Sequence, residues 1–459
     1  MNHYALAGIL GYVIVQFAVG AWVSRRMTSE QDYIIAGRSL GTVLVAFSVF
    51  ATWFGAEAIV ASAGEIYSKG LVGGLTDPFG YGAAVLMVGI LLAAPLWRRG
   101  IVTYADMVRE RYSAATEKLF VLVLLPGSVL WAAAQIRAFG QILGSTTGLD
   151  VEAAIVIAAL LVGAYSVVGG LLADAVTDVV QGIAVIIGLV VLVAFVAAAL
   201  GGPTTALTQI EPARLSLATG PDDTTLDRIE HLTVVICGSL VAVELVSRFL
   251  GARSASIAAS GTIAGGSMYL AIGLLPLFLG LVGPTLIKDL GEPEQIVPKL
   301  AEAYLPPVGY ALFVGALVSA ILSVVHAALH APAAQLSHNV IVRFMPGLSP
   351  RGRLFCVRLS VLALSAVAWA LAQSVETIKE LVELASAFGS AGAIVVALFG
   401  LFTRFGGAIA ATASLVAGSL VWAVGRFGLE LRAPYMIALG AALAAYVAVG
   451  LIERRTGAA

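Results

Sequence analysis

Ser48–Tyr67 reads SVFATWFGAEAIVASAGEIY, an apolar stretch of membrane-spanning length carrying Gly55, several alanines and the carboxylate of Glu57 where continuous apolar helix is expected. Irregular backbone survives at membrane depth only where it is buried in protein or lines a cavity. One reading is therefore an interrupted helix whose freed carbonyls face a cavity. The other is close helix packing through small residues, with Glu57 neutral or paired. The segment alone leaves both open. Trp53 and Glu57 are four residues apart and share a face if the helix is intact. An aromatic beside an acid suits a cationic solute, although a single Trp in a span also serves packing.

The surroundings are of the same kind. The 459 residues are 60% hydrophobic and 12% charged, with a mean hydropathy of +0.98, against roughly 45–50% apolar residues in soluble domains. A spanning helix needs about 20 mostly apolar residues. Such windows recur at 4–24, 40–66, 78–97, 119–145, 151–169, 175–200, 230–250, 257–285, 306–341, 354–373, 378–402, 407–425 and 433–452. The expected fold class is an all-α polytopic membrane protein of about 13 transmembrane helices in a lipid bilayer. Met1–Val23 has no basic segment ahead of its apolar run and is followed by Arg25 and Arg26, so it reads as a first span rather than a cleaved signal.

Lys and Arg gather in alternate loops: Arg25, Arg26 and Arg38; Arg98, Arg99, Arg109, Arg111 and Lys118; Arg248 and Arg253; Arg343, Arg351, Arg353 and Arg358; Arg404; Arg454 and Arg455. The other loops are acidic on balance, with Glu211, Asp222, Asp223 and Asp227, and with Asp289, Glu292, Glu294 and Glu302. By the positive-inside rule the N-terminus lies outside and the C-terminus in the cytoplasm of a plasma or inner membrane. A net charge of −1 excludes a basic nucleic-acid footprint. Cys237 and Cys356 sit in apolar runs and make neither a disulfide framework nor a metal site.

Ionisable residues inside spans are functional candidates because they are costly there. They are Glu57, Arg137, Asp178, Glu244, His326 and His330. In GSVLWAAAQIRAFGQIL, residues 127–143, Arg137 lies near Trp131, Gln135 and Gln141. It can anchor a solute carboxylate or neutralise Glu57 or Glu244 from a neighbouring helix. In ALVSAILSVVHAALHAPAAQLSHNVI, residues 316–341, Ser323, His326 and His330 form one stripe. A proton relay and helix-to-helix hydrogen bonding are its two readings. Zinc at the histidine pair lacks a third ligand.

Four motifs, in order, resemble the sodium:solute symporter family. DYIIAGRSLG, Asp32–Gly41, is similar to the entry into the family's second span. ATWFGAEAIVASAGEIY followed by DPFGYG is similar to the branch of the high-affinity choline transporters. YSVVGGLLADAVTDVVQG, residues 165–182, carries Thr177-Asp178-Val179-Val180-Gln181, similar to the TDxxQ signature. SAILSVVHAAL, residues 319–329, stands where the family has a helix with a Ser-Ser or Ser-Thr pair. The resemblance implies a leucine-transporter-type five-plus-five inverted repeat. An extra first span and loop take residues 1–37, the first repeat 38–200, the second repeat 229–402 and two extra spans 403–459.

It further implies a cation site built from the carbonyls of Ala51, Phe54 and Ala320, the hydroxyl of Ser323 and the nearby Asp178. Val324 stands where the family has a second hydroxyl, so the coupling ion is open between Na+ and H+, and no other cofactor or metal is expected. Trp53 and Trp131 match aromatic positions of the choline branch, whereas a third aromatic falls at Ala242. With Trp53, Glu57, Trp131 and Arg137 as the solute site, a zwitterionic or carboxylate-bearing solute stands beside choline. The implied function is cation-coupled symport of a small polar organic solute by alternating access, the alternative being a transporter-like solute sensor without net flux. An intramembrane enzyme is disfavoured, because no nucleophile-and-base arrangement is evident.

Overall fold

Long apolar runs headed by a capping residue become helices. In the computed structural model, which describes residues 3–24, 29–218, 224–345, 347–374 and 378–456, Ser113 Oγ accepts from the Thr116 N–H at 3.1 Å and opens α4, Ala114–Thr147. Asp150, Thr224 and Ser254 do the same for α5, Val151–Val168, α7, Thr225–Val241, and α9, Ala255–Leu286, each satisfying backbone donors that the first turn leaves free. The remaining principal helices are α1, His3–Ser24; α2, Thr42–Trp53; α3, Ser62–Lys69; α6, Leu171–Ala199; and α8, Val243–Leu250. They continue with α10, Pro307–Gln335; α11, Pro350–Ser374; α12, Ile378–Ala387; α13, Ser390–Phe402; α14, Ala408–Ala423; and α15, Pro434–Thr456. Among the described residues the only non-helical pairing is an isolated bridge between Leu40 and Ala252.

By length and composition nine helices among the described residues can cross a membrane, or ten if the bent pair α7 and α8 counts as one span. The thirteen windows read from the sequence are not all single helices. Thr42–Trp53, Val151–Val167 and Ser390–Phe402 are apolar but short, since breaks divide the windows at 40–66 and 378–402. Arg25, Arg26, Asp222 and Asp223 lie outside the described residues.

Helix α10 occupies the centre. In its span, Pro307–Phe344, 72% of the most apolar window is buried, against 28% for α1 and α15. It is apolar nearly all round, as a helix surrounded by other helices must be. α1 approaches it through glycines: a Cβ on Gly315 would meet the Gly8 carbonyl oxygen at 2.8 Å. Small residues of this kind let helix backbones come close where no hydrophobic effect drives them together.

Three breaks bend the chain inside the bundle. α2 ends at Trp53, Phe54 leaves helical geometry at φ −90° and ψ 66°, and a π-helical turn, Glu57–Ala61, leads into α3. α7 and α8 meet at Ala242, with φ −63° and ψ 113°, at an angle of 40°. α12 and α13 meet at Gly389, with φ +74°, whose missing Cβ makes room for the Val123 carbonyl.

The two ends of the bundle differ. At one, Asn339 Nδ2 donates to Asp106 Oδ1 and Glu117 Oε1, both at 2.8 Å, and its Oδ1 accepts from Thr103 Oγ1 at 2.7 Å. Arg109 pairs with Glu117 at 3.1 Å and His338 with Glu30 at 3.0 Å. Arg38, Arg99 and Arg111 donate to carbonyls nearby. At the other end Arg214, from the loop after α6, donates to the carbonyls of Ile66 and Tyr67 at 2.7 and 2.8 Å, capping α3. Among the described residues Arg38, Arg99, Arg109 and Arg111 thus gather at one end, whereas Arg248 does not.

Candidate functional site

The break after Trp53 removes ordinary partners from the backbone. The Gly55 N–H turns to the Trp53 carbonyl at 3.1 Å instead of reaching back to Ala51. The Ala56 N–H is taken by Gln135 Oε1 at 3.3 Å, from α4. Val324 of α10 seats against the break, because a Cβ on Gly55 would lie 2.6 Å from Val324 Cγ2. A methyl group therefore faces the position at which a threonine would present oxygen.

Beside this break α6 presents Asp178, fully buried. Ser48 Oγ of α2 donates to its Oδ2 at 2.7 Å, and Ser323 Oγ donates to its Oδ1. Asp178 and Ser323 are thereby joined directly. Ala51 and Phe54 sit at the end of α2, and Ala320 lies three residues before Ser323 on the same face of α10. Ser48 was missed in the sequence. It precedes Ala51 by three residues, so helical spacing could have drawn attention to it.

A second polar group surrounds Trp53. The rings of Trp53 and Trp131 lie 5.2 Å apart at 52°, and Trp131 Nε1 donates to Glu57 Oε2 at 3.3 Å. They line a cavity of about 70 Å³ together with Tyr81, Ser128, Ser386 and Glu244. Glu244 is 3% exposed, and its Oε1 has no hydrogen-bond partner. Ala242, at the α7–α8 break, also lines the cavity, with a methyl group as its whole side chain. No Lys, Arg or His stands among the described lining residues. Glu57, Tyr81 and Ser386 also belong to a vestibule of about 440 Å³ whose wall reaches Lys69, Asp227 and Arg432. The cavity therefore opens toward the acidic-loop end, while the Asn339 network closes the other.

Two expectations need correction. Arg137 is not in this cavity: its Nη1 donates to the Ala372 carbonyl of α11 at 3.0 Å. Six residues carry it about 9 Å along α4 from Trp131 and roughly 240° around the axis, so the two side chains leave the helix in different directions. Arg248 is not a loop residue. It is 1% exposed on α8 and pairs with Asp174 of α6 at 2.5 Å. The break at Ala242 leads into eight more helical residues, which keep Arg248 inside the bundle. Asp174 was also missed, although it precedes Asp178 by one turn.

His326 and His330 are brought together, with ring centroids 5.2 Å apart. His330 Nε2 lies 3.0 Å from the Tyr33 carbonyl. His326 Nε2 lies 3.9 Å from Asp174 Oδ2, and neither of its ring nitrogens has a hydrogen-bond partner. Among the described residues no three His, Cys, Asp or Glu side chains gather to hold a metal ion.

Residues 33–450 match the profile of the sodium:solute symporter family. The chain belongs to this family. A high-affinity choline transporter 1 of Drosophila melanogaster is 31% identical over 193 residues, spanning 41% of this chain but only 31% of that protein. The sodium/pantothenate symporter of Escherichia coli strain K12 is 25% identical over 350 residues, 74% of this chain and 72% of that protein. In three dimensions the chain superposes on a Na+-coupled sialic acid symporter in its substrate-bound outward-open state. The TM-score is 0.86 at 16% identity, covering 98% of this chain and 97% of the other. At that identity the likeness concerns the fold, which is the leucine-transporter type.

Proposed function

We propose that this family member carries a small ammonium-bearing organic cation into the cell, driven by a co-transported Na+ or H+, through alternating access in a plasma or inner membrane. The observation that carries the solute class is the cavity of Trp53, Trp131, Tyr81, Glu57 and Glu244, which has aromatic faces and carboxylates and no described basic side chain. Aromatic faces and a carboxylate attract an ammonium group and repel a carboxylate. With Arg137 turned to Ala372, the zwitterion-binding reading loses its anchor.

The coupling cation belongs beside Asp178. Ser48, Ser323 and the carbonyls of Ala51, Phe54 and Ala320 supply oxygen of the kind a hard cation requires. Val324 removes one such oxygen, which weakens Na+ relative to H+ at this position. In the proposed cycle one helix bundle rocks against the other. The vestibule then closes over the filled cavity, and the Asn339 network opens toward the cytoplasm, with the N-terminus outside. His326 and His330 lie next to the cation site and form a candidate proton relay from it. No observation favours the sensor reading over transport.

The test is uptake by proteoliposomes under imposed Na+ or H+ gradients, comparing choline, betaine, a primary amine and pantothenate. Accumulation of choline or the amine under one gradient is expected. Uptake of pantothenate alone would overturn the solute class, and binding without accumulation under either gradient would overturn transport.

A further inference from the structure

The vestibule contains a second acid that the central site does not use. Asp77 lies on the wall above Glu57, is 6% exposed, and has its Oδ1 held by the Tyr269 hydroxyl at 2.8 Å. Its Oδ2 is buried with no hydrogen-bond partner. A carboxylate oxygen removed from water without a partner is costly, and next to a cavity the missing partner is naturally supplied by whatever enters.

Its height follows from its attachment. Ser62 Oγ donates to the Asp77 carbonyl at 2.8 Å, and Ser62 follows Glu57 by five residues on the same helical run. At helical rise this puts the Asp77 backbone carbonyl roughly 7 Å nearer the vestibule mouth than Glu57, while Tyr269, which holds the carboxylate, packs on Phe54 at the break. Lys69, Arg228 and Arg432 on the vestibule wall sit at or beyond the ends of their helices, whereas His231 lies two turns into α7. Lys69 is paired with Glu65 at 2.6 Å, Arg432 with Asp227 at 2.8 Å, and Arg228 donates to the Leu217 and Ala218 carbonyls. Below this rim the acids occur in order: Asp77 in the vestibule, Glu57 in both spaces, and Glu244 in the inner cavity alone.

We propose that Asp77 forms an outer docking subsite at which the ammonium group of an arriving solute pairs before it moves down to Glu57 and the Trp53–Trp131 faces. The subsite rests on the organic-cation reading above and adds an ordered path to it. A carboxylate in a low-dielectric cleft draws a counter-ion and raises its association rate, so the signature of Asp77 is kinetic and salt-dependent.

The experiment is stopped-flow quenching of tryptophan fluorescence in the purified full-length chain in nanodiscs, with choline and tetramethylammonium as probes, over a series of ionic strengths. Asp77→Asn should lower the association rate constant about tenfold and flatten its ionic-strength dependence, with the dissociation rate changed less than about twofold. Asp77→Glu should restore both. A merely structural role for Asp77 would not move the salt slope. Should Asp77→Asn not fold, Thr76→Lys places an ammonium group next to an intact Asp77 and should slow association similarly. An association rate and salt slope like those of the unmodified chain overturn the subsite and leave the central site standing. Failure of either ammonium probe to bind the unmodified chain overturns both.

Discussion

The acids of this bundle fall into two regions that are finished differently. Along α6, Asp178 is held by Ser48 and Ser323, and Asp174 is ion-paired with Arg248 although its carboxylate oxygens make no hydrogen bond; what sets both apart is that neither lines the inner cavity or the vestibule. Around the α2 break, Glu57, Asp77 and Glu244 face open space, and the last two each have an oxygen without a partner. The first region is organised by the protein's own donors and suits a small ion that replaces or shares them. The second leaves hydrogen-bonding and aromatic capacity unused, as a receptor for a ligand with its own donors must.

The largest effect should come from breaking the sealed region. Arg248→Met leaves Asp174 buried without its cation and should destabilise the fold by about 3–5 kcal/mol, whereas Arg248→Met combined with Asp174→Leu should recover much of that loss. Thermal unfolding in detergent measures both, and equal losses in single and double variants would show that the pair is not the cause. Next, Asp178→Asn should raise the cation concentration needed for half-maximal uptake about 100-fold, since hydrogen bonds to a charged group contribute about 1.5–3 kcal/mol each. Unchanged cation dependence would move the ion elsewhere.

In the open region, Trp53→Ala should weaken solute binding by roughly 2- to 30-fold, the range of cation–π energies from exposed to desolvated sites. Arg137→Gln should leave the same affinity within about twofold, as befits a residue outside the cavity. A large loss with Arg137→Gln would restore the anchor role expected from sequence. The smallest effect is a gain: Val324→Thr keeps the shape but returns an oxygen to the break, and should strengthen Na+ dependence by about 2- to 10-fold. Na+ titration of uptake reads this directly, and no change would count against a role for the missing hydroxyl.

Much of this was legible before any coordinates. Hydropathy and loop charge are local properties, so the apolar windows and the grouping of Arg38, Arg99 and Arg109 could be read from the chain. Small residues and a carboxylate inside an apolar run marked the segment around Gly55 as either a break or a close packing contact. Ser323 and Asp178 could be brought together only by resemblance, because they stand on different helices. Arg248 was counted with a loop although the apolar window 230–250 reaches past it, because a charge near the end of a window is read as its flank; the helix after the break at Ala242 keeps it inside the bundle. Arg137 stands apart from the inner cavity because nearness to Trp131 along a helix says little about azimuth.

The amino-acid sequence by itself determined that this protein is an all-helical membrane protein, for that follows from the transfer of side chains and backbone into hydrocarbon; it left the second span open between an interrupted helix and close packing, and the fold decided for the break. Only the tertiary structure decided which acids are sealed and which are open. That depends on which helices meet, and on which face of each helix a side chain leaves. The same carboxylate chemistry is therefore enclosed by serine hydroxyls at Asp178 and faces a cavity at Glu57.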